Sequence, residues 1–180
     1  MVPVRNGRLA LGLRVVIGTA ITASVIGFTA SVLREPFVFP SLGPTMFLMF
    51  FAPLAVMSAP RNVIIGHGLG ISSGFAALLI FGLVSVPADL FELSLARVGA
   101  IVLALSLTFA LMIWWGFPHP PAGATALIVA LGILATPVDL AIMMLAVLVV
   151  TVCAFIINRL AGVHVPIWSG PEELPADVIE

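Results

Sequence analysis

The stretch GFPHPPAGATAL, Gly116–Leu127, sets a histidine and three prolines between two long apolar runs. These residue types suit anion binding. Pro121 has the fixed φ and missing N–H that suit a first helical position. The N–H groups of Ala122, Gly123 and Ala124 would then lack partners within their own helix. Glycine lets another group approach the backbone, and a helix start carries partial positive charge that binds anions. His119 could donate to such an anion and carry a proton with it. It could equally be a side chain bonded to a carbonyl at the start of a helix.

A second stretch, PSLGPT, Pro40–Thr45, repeats this plan. Pro40 aligns with Pro120, Gly43 with Gly123, and Thr45 with Thr125. Ser41 is expected to cap the helix, leaving Leu42 and Gly43 as donors. The hydroxyls of Ser41, Thr45 and Thr125 could bind an anion or bond back to helix carbonyls. Three further residues are candidates. His67 lies between glycines, where packing is the plainer reading. Arg61 follows Pro60 and could anchor the topology, pair with an acid or attract anions. Asn62 and Asp139 each lie two residues after a proline, where helix capping explains both.

Enzyme chemistry lacks a constellation. There is no HExxH, no CxxC, no phosphate-loop glycine pattern and no Ser/His/Asp set within the apolar runs. Three scattered histidines have no metal-ligand spacing, so neither a metal nor a cofactor is expected. Cys153 stands alone in an apolar run and reads as a core filler.

The elements that must hold these residues are apolar. The 180-residue chain is 62% hydrophobic and 8% charged, with mean hydropathy +1.28. A soluble domain carries about 25% charged residues, so this composition predicts an all-α polytopic membrane protein in a lipid bilayer. It also offers no basic run for nucleic acid. Four runs are long enough to span: Val15–Leu33, Gly68–Val86, Val98–Trp115 and Leu140–Leu160. Two shorter ones, Met46–Ala59 and Ala122–Ala135, follow the broken stretches. The order long, broken, short, long predicts two repeats, about 14–86 and 97–160, within one membrane domain at 14–160. Residues 1–13 are expected as a cytoplasmic segment and 161–180 as an interfacial and soluble tail. Six crossings with inverted repeats, or four spans with two re-entrant loops, both fit. Arg5, Arg8, Arg14 and Arg159 place both termini in the cytoplasm, in a cell inner or plasma membrane. Glycine and serine at three- and four-residue spacing in Gly66–Ala77 suit close helix contacts, within the chain or in a homo-oligomer.

The blocks HPPAGATAL (His119–Leu127), FPSLGPT (Phe39–Thr45) and APRNVIIGHGLG (Ala59–Gly70) resemble the signature of the HPP family of small integral membrane proteins. The resemblance runs from about Arg14 to Leu160. It implies four conventional transmembrane regions and, from members associated with nitrite transport, a small anion as substrate. The expected function is a transporter or channel for a small monovalent anion, with nitrite implied by the resemblance. An accessory subunit of a larger membrane complex is the alternative.

Overall fold

Within hydrocarbon each backbone N–H and C=O must be satisfied inside the segment, so apolar runs without proline become helices. The computed structural model describes residues 4–168. Its elements are α1 (Val4–Leu33), α2 (Leu42–Phe51), a 3-10 turn (Val56–Ser58), α3 (Pro60–Ile80), α4 (Leu95–Trp115), α5 (Ala122–Ala130) and α6 (Pro137–Leu160). The fold is all-helical among the described residues. Helices α1, α3, α4 and α6 are long and apolar enough to cross a membrane, and the chain is an integral membrane protein. The segment expected at 1–13 is helical from Val4 and runs into α1 without a break. Residues 169–180 of the expected tail lie outside the described residues.

The punctuation follows local chemistry. Helix α4 opens at Ser94, whose hydroxyl accepts from the Arg97 N–H at 3.2 Å, and closes at Gly116 in the left-handed conformation (φ +69°). Helix α6 opens with Pro137 and a capping box between Thr136 and Asp139. The cap expected of Asp139 is therefore present. Helices α2 and α5 have only 10 and 9 residues, about 15 Å each.

Helix α3 packs on α4, α5 and α6, while α6 packs on α1, α2 and α3. The closest approach is between α3 and α5. A Cβ at Gly66 would stand 2.8 Å from the His119 Cβ, one at Gly70 2.6 Å from the Ala122 carbonyl oxygen, and one at Gly74 2.7 Å from the Val129 Cβ. The glycine face expected to bring helices together does so within one chain. The apolar side chains of α1, among them Leu9, Val16, Ile17, Phe28 and Val32, point outward.

Contacts also tie the helix ends together. Arg14 of α1, the Ala52–Ala55 turn and Gly162–His164 after α6 surround one open cavity of about 680 Å³. Close by, the Asn158 amide donates to the Met49 carbonyl at 3.0 Å. At the other end of the bundle the buried Arg97 guanidinium donates to the carbonyls of Ala130, Val86 and Pro87 at 3.3, 2.9 and 3.2 Å. Gly132, at φ +80°, lies against that guanidinium.

Candidate functional site

The broken stretches lead into α2 and α5, and both short helices meet α3 at His67. Thr45 is the fourth residue of α2 and Thr125 the fourth of α5. The His67 ring lies between them, with Nε2 3.0 Å from Thr45 Oγ1 and Nδ1 2.7 Å from Thr125 Oγ1. His119 joins from the α4–α5 connection, its Nε2 3.2 Å from Thr45 Oγ1 and its Nδ1 2.8 Å from the Met57 carbonyl oxygen. The two imidazole centroids are 5.0 Å apart. Ser41, Thr45, His67, His119 and Thr125 are all fully buried.

The partners fix the protons. A carbonyl only accepts, so His119 Nδ1 carries hydrogen and donates to Met57. In neutral His119 the Nε2 must then accept, and the Thr45 hydroxyl donates to it. Thr45 in turn accepts from His67 Nε2–H, and His67 Nδ1 accepts from the Thr125 hydroxyl. The result is a one-way chain, Thr125 to His67 to Thr45 to His119 to Met57, with every ring nitrogen satisfied. A second arrangement also closes. The Ser41 carbonyl lies 3.0 Å from Thr45 Oγ1. If His119 takes up a proton, its Nε2–H donates to Thr45, which also keeps the bond from His67. The Thr45 hydroxyl then turns to Ser41. The cluster accommodates one added proton without leaving a buried polar atom unpaired, the condition that usually makes such networks costly.

The backbone donors differ from expectation. The N–H groups of Leu42, Ala122, Gly123 and Ala124 are not free. They donate to the carbonyls of Phe39, His119, Pro120 and Pro121 at 3.0–3.1 Å, because the leading turns tighten into three-residue bonds. Ser41 sits at the cap position of α2 but makes no capping bond; its hydroxyl contacts Met143 Sδ at 4.0 Å. Gly43 is exposed, with open space around it. Gly123 faces α4, where a Cβ would meet the Phe109 ring at 2.7 Å. Its role is helix packing against α4.

His67, which the sequence marks as a packing residue, is the centre of the cluster. The available signal was its position on a span facing two matched threonines. Arg61 and Asn62 also depart from their plainer readings. Arg61 is buried rather than placed as an exposed topology anchor, and Asn62 does not cap α3. They lie three and four residues after Ser58, in the first turn of α3.

An all-helical membrane protein that buries a histidine–threonine network where two broken segments meet is the class defined by this architecture. The chain matches the family model described as HPP, transmembrane region, over residues 5–166. It belongs to that family. A protein of Dictyostelium discoideum, named only as a transmembrane protein, is 36% identical over 93 residues. That alignment covers 52% of this chain and 30% of the relative, so the chain spans well under half of the relative's length. No solved structure matches.

Proposed function

We propose that the chain is a transporter for a small monovalent anion, nitrite being the first candidate from the family resemblance, and that a proton moves with the anion. The observation carrying this reading is the Thr125–His67–Thr45–His119 chain, which closes its hydrogen bonds in two protonation states. A lone charge at membrane depth is expensive. A histidinium beside an anion cancels most of that charge, so proton and anion favour each other's presence. The helix starts contribute the positive ends of α2 and α5 rather than a set of free backbone donors.

The same reading takes the architecture as two inverted repeats with six crossings and both termini in the cytoplasm. The packing supports it. Exchanging α1, α2, α3 with α4, α5, α6 maps each major contact onto another: α3 on α4 and α5 becomes α6 on α1 and α2. Helix α2 has its first residues beside Met143, in the first third of α6, and its last beside Asn158, near the end of α6. Helix α5 starts against Gly66 and ends against Arg97, near opposite ends of α3 and α4. These positions favour crossing over re-entry. The glycine face of α3 is spent inside the chain, and a homo-oligomer would have to use another surface, such as the apolar side of α1.

Purified protein in liposomes tests the function. Nitrite uptake that rises with an inward proton gradient is the expected result. No uptake by the protein alone, with uptake restored by a partner, would replace this reading with the accessory-subunit one.

A further inference from the structure

Helices α3 and α6 begin alike, with a proline at the first helical position, but their first turns are completed differently. In α6 the carboxylate belongs to the protein. Asp139 Oδ2 accepts from the Thr136 N–H at 3.1 Å and from the Thr136 hydroxyl at 2.7 Å, and the Thr136 hydroxyl accepts from the Asp139 N–H at 3.2 Å. The corresponding residues of α3 are Ala59, Pro60, Arg61 and Asn62. Ala59 has no side-chain oxygen to offer the first turn, and among the described residues no side chain caps it. An amide stands where Asp139 stands in α6, with a guanidinium beside it.

Both side chains are buried, Arg61 at 6% exposure and Asn62 at 0%. Arg61 Nε donates to Asn62 Oδ1 at 3.1 Å. That bond fixes the amide orientation, because the acceptor end must face the guanidinium. The guanidinium carbon lies 4.9 Å from the Phe117 ring and 5.0 Å from the Trp168 ring, which holds its position. Among the described residues, Arg61 Nη2 and Asn62 Nδ2 are buried with no partner. Everything left unsatisfied at this helix start is a donor, one of them is charged, and the amide's acceptor is already used.

We propose that the start of α3 is a binding site for a small planar anion with two oxygens, of the size of nitrite or formate. The anion fills the role that the Asp139 carboxylate fills in α6. It accepts from Arg61 Nη2 and Asn62 Nδ2 and lies at the positive end of α3. This site is separate from the histidine cluster and does not depend on what the cluster carries.

The test uses the full chain in nanodiscs of zwitterionic lipid. Its thermal unfolding midpoint is followed as sodium nitrite replaces sodium gluconate at constant ionic strength. A ligand of the folded state raises the midpoint, so a saturable rise is expected. Ala59→Thr combined with Asn62→Asp rebuilds the α6 box in α3 and supplies an internal carboxylate. That variant should start from a higher midpoint and lose the nitrite response. Arg61→Gln should weaken the apparent affinity at least about tenfold and decides the matter if the double variant does not fold. In His119→Gln, which removes whatever the histidine cluster contributes, a saturable rise that still depends on Arg61 should remain. The proposal is overturned if the parent gives no saturable rise, if Arg61→Gln keeps the parent affinity, or if the response vanishes with His119 instead. A response to phosphatidylglycerol in the disc but none to nitrite would overturn it as well, in favour of a lipid headgroup.

Discussion

Thr45 is the residue on which both histidines depend. Its single hydroxyl hydrogen can go to His119 or to the Ser41 carbonyl, and its lone pairs accept from one or both rings. Thr45→Val keeps the shape and removes all of these bonds. Leaving buried ring nitrogens unpaired costs about 1–3 kcal/mol each, so the variant should be less stable and should transport poorly. Thr45→Ser should restore both properties. Thr125→Val strips a partner from His67 Nδ1 alone and should be the milder change. Equal uptake by Thr45→Val and the parent would remove the hydroxyl from the mechanism. His119 gives the companion prediction. His119→Gln retains a donor toward Met57 but cannot hold a proton. Uptake in the parent should increase as pH falls and should be flat in the variant. A parallel pH profile in both would reduce His119 to a structural residue.

Helix packing decides how close the short helices come to His67. Gly70 faces the Ala122 carbonyl, a backbone atom that cannot swing away. Gly70→Ala should therefore destabilise by about 1–3 kcal/mol, the usual penalty of overpacking, read as a lower thermal midpoint in detergent. Gly68→Ala is the control, since its Cβ would meet only the flexible Met144 Cε at an ordinary 3.5 Å. Similar midpoints for the two variants would count against tight α3–α5 packing. Much at this scale was legible from sequence. The four long helices, both short ones and the matched threonines follow from apolar run length and proline position, but α3 runs Pro60–Ile80 where the apolar run suggests Gly68–Val86, and α2 runs Leu42–Phe51 where it suggests Met46–Ala59. The hydrogen bonding of the leading turns was not legible. Whether an N–H near a helix start is free depends on three-residue turn bonds, and proline spacing does not encode them. Gly123 misled for a related reason: a glycine looks the same whether it admits a ligand or a neighbouring helix. His67 was obscured because its two partners lie 22 and 58 residues away.

The whole molecule combines long lipid-facing helices with two segments that bring polar backbone inward. Such backbone is tolerated at depth only when buried in protein or lining a cavity, and here α3 and α6 cover it. If each short segment completes a crossing, the connection before α3 lies on the side of the termini and the connection before α4 lies on the opposite side. If each re-enters, the two exchange sides. Leu54 and Glu92 are exposed in those two connections, and Cys153 is the chain's single cysteine. In a Cys153→Ala background, Leu54→Cys should react with an impermeant thiol reagent only from the cytoplasmic side. Glu92→Cys should react only from the other side. The reverse pattern would establish two re-entrant loops and place the start of α3, with Arg61 and Asn62, on the face away from the termini. The pattern expected here instead puts Arg61, the Ala52–Ala55 turn and the cavity beside Arg14 on the cytoplasmic side. An anion arriving there would meet the Arg61 guanidinium before the histidine cluster.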